Sequence, residues 1–285
     1  MEEVHKKELI TAIRYQIERV GELCLADEVS AEIKVHEMRK AFKRLNALLK
    51  LFPEELQIEV DGFRKPMRGI ARRLTLGRES TVNSQLFERL LLETGGLDES
   101  RNNELGEKLI QTKDESLHEL VEQENILVEV LQLMNSGKSD LLPVLVSRTY
   151  FVHVFNKIEA TFLRSKDLHR VIAARYDAEL YHELRKQMKT LWYQSEVEAP
   201  GQTEVPGTIL EKLHNITDQQ GDDHDWYVFM NEISQPKYGL TPDETEKLKK
   251  QVQHIQEANL KLLNQNLSDF FTLSEQEYLE LLRRL

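Results

Sequence analysis

The sequence predicts an all-α fold built as two related halves. Apolar residues recur at helical spacing along most of the chain, strand-like alternation is absent, and one histidine-led basic segment occurs twice. With 40% apolar and 31% charged residues, the 285-residue chain can bury a core and is not disordered by composition.

The periodicity places helices near 3–24, 29–52, 63–76, 79–95 and 99–135 in the first half. Pro53, Gly77, Gly95-Gly96 and Gly137 fall between or after these segments, where helix breakers belong. The second half reads as helices near 140–165, 168–198, 204–219, 222–234, 241–268 and 274–284. Its breakers are Pro200-Gly201, Pro206-Gly207, Gly221, Pro236 and Pro242, and the stretch around 196–207 is the most linker-like. Thr241-Pro242-Asp243-Glu244 is a helix start: an N-cap hydroxyl, Pro at the first helical position, and acids in the first turn.

Several function classes are disfavoured by composition. No run has the apolar length of a membrane span, and the opening MEEVHKKELI is not a basic-then-apolar leader. The single cysteine, Cys24, permits neither an internal disulfide nor a cysteine-based zinc site, so a cytoplasmic setting is expected. A net charge of −11 repels polyanions at long range, so any polyanion site requires basic residues gathered on one surface.

The repeat supplies such a surface. Residues 36–45 read HEMRKAFKRL and residues 182–191 read HELRKQMKTL, an offset of 146. His36 pairs with His182, Arg39 with Arg185, Lys40 with Lys186 and Lys43 with Lys189. Downstream, the same offset aligns Arg78 with His224, Glu79 with Asp225 and Val82 with Val228. Two blocks in one register imply halves of similar helix order, 1–138 and 139–285, related by a pseudo-twofold axis.

On a helical wheel with His36 at zero, Arg39, Lys43, Lys40 and Arg44 fall between about −60° and +80°. Met38, Phe42, Leu45, Leu48, Leu49 and Phe52 occupy the opposite side. In the second copy, His182, Arg185, Lys186, Lys189 and the Tyr193 hydroxyl share a face opposite Leu184, Met188 and Leu191. A cationic face is ordinarily just solvated. Surface helices normally mix signs at i, i+4, however, and like charges at that spacing destabilise, so a bound anion is the expected compensation. Lys65, Arg68 and Arg72, with Arg73 adjacent, form a third stripe that could join the first in one groove. Arg would grip phosphate oxygens bidentately there and Lys would act as a mobile point charge.

Glu79 and Asp225 read as helix-start carboxylates that orient groove cations. His36 and His182 lie among cations without a cluster of carboxylates or thiols, so no metal is expected. Asp222, Asp223 and Asp225 fit a solvated helix start better than a magnesium site. The acids of 93–129, including Glu115, Glu119, Glu122, Glu124 and Glu129, belong on the outside. No Walker loop, nucleophile elbow or catalytic carboxylate pair occurs, so neither an enzyme nor a cofactor is expected.

These residues resemble the CHAD domain, the conserved-histidine α-helical domain. Its repeated His-x-x-Arg-x-x-x-Lys/Arg helix is similar to His36–Arg44 and His182–Lys189. Arg78-Glu79, Gly221–Asp225 and Lys189–Glu196 resemble three further motifs. The chain departs from the pattern at Asn46, Thr190 and Trp192, where charges are missing, and at Thr217 and Gln220. The resemblance spans nearly the whole chain as one CHAD domain. It implies two pseudo-symmetric four-helix bundles and a basic surface that binds inorganic polyphosphate; with no catalytic motif present, binding without chemistry is the expected function. Members are often fused to a triphosphate tunnel domain marked by Glu-x-Glu-x-Lys, a mark this sequence lacks. The other readings are a scaffold for an acidic protein or nucleic acid, with Trp192 and Tyr193 as the stacking aromatics, or an accessory module to a polyphosphate or triphosphate enzyme.

Overall fold

A computed structural model describes residues 2–148, 153–175, 177–198 and 205–285. The helices are α1 (Glu2–Leu25), α2 (Ala31–Leu49), α3 (Gln57–Thr94), α4 (Glu99–His118), α5 (Ile126–Ser136), α6 (Leu142–Ser147), α7 (Val154–Ala174), α8 (Ala178–Glu198), α9 (Ile209–Ile233), α10 (Pro242–Phe270) and α11 (Glu275–Arg283). No strand occurs among the described residues, so the all-α expectation holds. Caps fix several starts. Ser30, Asp98 and Thr208 side chains accept backbone N–H groups at α2, α4 and α9. Thr241 with Glu244, and Ser274 with Glu277, form reciprocal capping boxes.

The expected boundaries need correction at two glycines, Gly77 and Gly221. Helices 63–76 and 79–95 are one helix, α3, and helices 204–219 and 222–234 are one helix, α9. Gly77 sits inside α3 because neighbours press on it: a Cβ there would lie 3.1 Å from Leu120 Cδ2 and 3.3 Å from Leu117 Cδ2. Gly137 likewise continues a helical path, where a Cβ would meet Phe63 at 2.8 Å. The expected helix 99–135 is instead interrupted by a π-turn at Glu119–Gln123 and by Asn125, held at φ 51. In the second half, α6 ends at Ser147, and α7 runs to Ala174 through the boundary expected near 166. The linker residues 199–204, with Pro200-Gly201, lie outside the described residues.

The repeat is visible in the element order. Helices α1 to α4 correspond to α7 to α10 at close to the sequence offset. Within the first half α1 packs on α2, α2 on α3, and α3 on α4. The second half repeats this with α7 on α8, α8 on α9, and α9 on α10. Across the halves, equivalent helices meet: α2 packs on α8, and α3 on α9.

Two separate apolar cores result, and each draws on both halves. The larger includes Ile13, Phe42, Phe52, Phe162, Leu184, Met188 and Phe270. The smaller joins Phe87 and Leu90 of α3, Leu105 and Leu109 of α4, Trp226 and Phe229 of α9, and Leu248 of α10. Helices α3, α9 and α10 run through both cores. Between the cores α3 turns polar over Arg78 to Thr81 and α9 over Thr217 to Asp225. The long helices thus carry a charged layer between two apolar clusters.

Candidate functional site

The charged layer takes its side chains from four helices. Arg39 and Lys43 come from α2, Arg78 and Glu79 from α3, Arg185 and Lys189 from α8, and Asp225 from α9. Helical spacing explains the supply. On α2 and α8 the apolar residues Met38, Phe42, Leu45 and Leu184, Met188, Leu191 are buried, which turns the cations to the other side.

The two copies dock in the same manner. Arg39 Nη1 donates to Ala71 O of α3 at 3.0 Å and also to Thr75 Oγ1. Arg185 Nε donates to Gln220 O of α9 at 3.1 Å. Each arginine therefore crosses to the next helix of its own half, and its bonds go to neutral groups.

Electrostatics place the stripes together. Burial and then Lys189, Arg39 and Arg185 bring the Lys43 ammonium down to about 7. Burial and Arg185 bring Lys189 down to about 8, with Lys40 adding to the effect. Burial lowers Arg39, Arg78 and Arg185 as well. Asp225 stands among Arg185, Arg78, Lys43 and Lys189, yet burial raises its carboxyl. Glu79 is raised by burial and by Asp225, against the pull of Arg39. Lys43 nevertheless remains exposed to solvent, so this crowd of charges is reachable.

Among the described residues, Lys40, Lys43, Arg68, Arg72, Arg78, Lys186 and Lys189 have no carboxylate at ion-pairing distance. Arg39 and Arg185 have none either. The acids Glu79 and Asp225 lie within electrostatic range but form no ion pair. Both are mid-helix, in α3 and α9, so the helix-start role expected for them is corrected. His36 is exposed at the edge of the cluster, lowered by burial and by Arg78.

Other expected site residues lie elsewhere. Arg73 turns away and is held by Glu124 at 2.9 Å and Glu129 at 2.5 Å, because it lies about 140° round α3 from Arg78. Arg44 pairs with Glu196 at 2.9 Å, its guanidinium 5.3 Å from the centre of the Tyr193 ring. Arg44 and Tyr193 also line a cavity of about 670 Å³ with Tyr15 and Gln16 of α1. Tyr193 is only 3% exposed and its hydroxyl is pushed up to about 12 by burial; Trp192 is 4% exposed and stacked on it. Neither aromatic is open to stack on a base, which corrects their proposed role. Arg68 and Arg72 are exposed on α3, and Arg68 lies near Lys50.

Two acids of the triplet, Asp222 and Asp223, are engaged internally. Asp222 accepts from Arg89 at 2.7 Å and Asn259 at 3.2 Å, and Asp223 accepts from Gln256 at 2.9 Å. One member of the site escaped the sequence reading. His224 packs against His182 with ring centroids 5.3 Å apart, and burial and Arg185 lower it to about 4. Its alignment with Arg78 at the repeat offset was the available signal.

A family model described as CHAD domain matches residues 12–234, most of the 285. No curated protein and no solved structure matches the chain.

Proposed function

The chain belongs to the CHAD domain family, and from that premise we propose that it binds inorganic polyphosphate without turning it over. The binding surface is a groove formed where the α2 and α8 cations meet. One observation carries this reading: the cations of the layer lack ion-pair partners while standing close enough to depress one another. Like charges so arranged destabilise the empty protein, and an anion with closely spaced charges offsets that repulsion. A phosphate chain supplies one charge after another along a flexible backbone and can touch both copies of the repeat. Arg39 and Arg185, pre-set by their bonds to neighbouring helices, offer guanidinium groups to phosphate oxygens, and the lysines follow as point charges.

No chemistry is assigned. The carboxylates nearest the cations, Glu79 and Asp225, stand among them, and His36 and His182 are lowered by burial and by neighbouring cations. Isothermal titration with long-chain polyphosphate tests the reading. Saturable binding at low salt should weaken steeply as salt rises. The double reversal Lys43→Glu/Lys189→Glu should abolish binding with the helical signal retained. Absence of binding at low salt, or steady release of orthophosphate by the purified chain, would end this proposal.

A further inference from the structure

We propose that the cavity between α1, α2 and α8 is a binding site for a separate ligand, an uncharged and largely apolar small molecule that carries a hydrogen-bonding group. The site differs in chemistry from the charged layer and does not depend on what that layer holds.

Its volume, about 670 Å³, lies in the range of small-molecule pockets. Ala12 of α1, Leu48 of α2 and Val197 of α8 give it apolar walls. Two nearly buried polar side chains also line it: Gln16, 6% exposed, and Tyr193, 3% exposed. Neither the Gln16 amide nor the Tyr193 hydroxyl makes a hydrogen bond to any described residue. Both side chains keep some accessible surface and border the cavity, so an entering molecule reaches them. Buried polar groups are as a rule hydrogen-bonded, and two orphans on one cavity call for a partner that enters it.

The repeat supplies an internal control. The corresponding junction of the second half is that of α7 with α8 and α2. There Thr161 donates to Gln194 Oε1 at 2.9 Å, and Gln194 Nε2 donates to Ala47 O at 3.2 Å. This chain ties three helices together through a buried side chain. At the offset of 146, Leu48 stands where Gln194 does, and Tyr193 stands where Ala47 does. The first junction therefore lacks the bridging amide and gains a tyrosine. Its opening belongs to these residues and not to the shared framework.

Charge selects the ligand class. Among the described residues the cavity meets the cations Lys7 and Arg44 and the acids Glu8 and Glu196. Arg44 is already gripped by Glu196, with Nε and Nη2 at 2.9 Å and 3.3 Å from its carboxylate oxygens. Lys7 and Glu8 are exposed and offset one another. With the charges cancelled, a charged ligand would lose its hydration without meeting a free counter-charge. An uncharged ligand avoids that cost. Gln16 and Tyr193 can each donate and accept, which suits an amide or hydroxyl borne on an apolar ring.

The test uses the full chain and three nearly isosteric probes, naphthamide, naphthoate and naphthamidine, in equilibrium dialysis at neutral pH. Phosphate buffer competes for the cations of the charged layer, so naphthoate held there is displaced. The amide should bind saturably and at least about tenfold more tightly than either charged probe. Ala12→Phe, which fills the cavity, should reduce amide binding by at least about tenfold. Gln16→Leu/Tyr193→Phe keeps the size of both side chains and removes their hydrogen-bonding groups. It should weaken amide binding by about tenfold, as expected for two neutral hydrogen bonds, with the helical signal and cooperative melt retained. No saturable binding of the amide by the folded wild type overturns the site. Equal affinity for the three probes, or amide binding unchanged in the folded double variant, overturns the ligand class assigned to it.

Discussion

Two sets of arginines in this protein contrast in their partners and in the direction of their shifts. On the outside, Arg73 is clasped by Glu129 and Glu124, and Arg101 by Glu244 and Glu104. Those hydrogen bonds raise both guanidinium groups above their ordinary range. In the layer between the cores, Arg39, Arg78 and Arg185 are lowered by burial and bond to neutral groups or to none. A chain with a net charge of −11 has enough acids to pair every cation. That the inner cations go unpaired shows that local arrangement, rather than net charge, decides which cations find an acid partner. Outer pairs contribute modestly to stability and nothing to binding. Inner cations lower stability, and under the proposed function a bound polyanion offsets that cost.

The largest expected contrast comes from removing charge from each group. Arg39→Gln/Arg185→Gln should reduce polyphosphate affinity by about a hundredfold, as expected for two lost charge-assisted contacts. Arg73→Gln/Arg101→Gln should change affinity less than about twofold at the same salt, while lowering the melting temperature. Calorimetric titration and thermal melts of both pairs decide the matter. Equal losses of affinity in the two double variants would erase the distinction.

A second contrast is in the response to pH. Lys43 and Lys189 have native pKa values of about 7 and about 8, below the roughly 10.4 of an unfolded lysine. Between these limits the unfolded chain binds more protons than the folded one, so the ligand-free protein should gain stability from them as pH rises. Below pH 7 both lysines are charged in either state, and their mutual repulsion is fully present. Polyphosphate affinity should move the opposite way and decline from pH 7 to 9 as the lysines lose their protons. In Lys43→Met/Lys189→Met both slopes should flatten, measured by chemical denaturation and by titration across that range. A wild-type affinity independent of pH over this interval would contradict the account.

The legible parts of this fold were those that depend on periodicity and register. The α2 and α8 faces, the Arg39–Arg185 and Lys43–Lys189 pairs, and the N-cap at Thr241 follow from spacing and residue type, and Lys43 and Lys189 lie close enough to depress one another. Gly77 is not legible from sequence, because a glycine that breaks a helix and one that admits Leu117 and Leu120 look the same there. Arg73 was misread because a run of basic residues hides which of them lie across the helix. Tyr193 and Trp192 were misread because α8 is covered on that side by other helices, and burial of that kind depends on distant partners. His224 shows the converse: its proximity to His182 depends on how α8 meets α9, which no local pattern encodes.

The smallest predicted effect bears on what Asp225 does. Its carboxyl lies among Arg185, Arg78, Lys43 and Lys189 without making an ion pair with any of them. Were it there to orient the cations, Asp225→Asn should weaken polyphosphate binding. If instead it acts as an internal counter-charge, the substitution should strengthen binding, because the ligand no longer meets a negative group in the middle of its path. The second outcome is expected, at a few-fold, since screened charges beside an accessible site interact weakly. The two roles also differ in their pH dependence. Burial raises the Asp225 carboxyl, so the wild type becomes neutral there at a higher pH than an ordinary aspartate. As pH falls through that raised value, the wild type should approach Asp225→Asn and the advantage of the variant should vanish. An orienting carboxylate would make the wild type lose affinity over the same interval while the variant stayed constant. Titrations of both proteins from pH 4 to 7 at fixed ionic strength separate the two roles by the sign of the change.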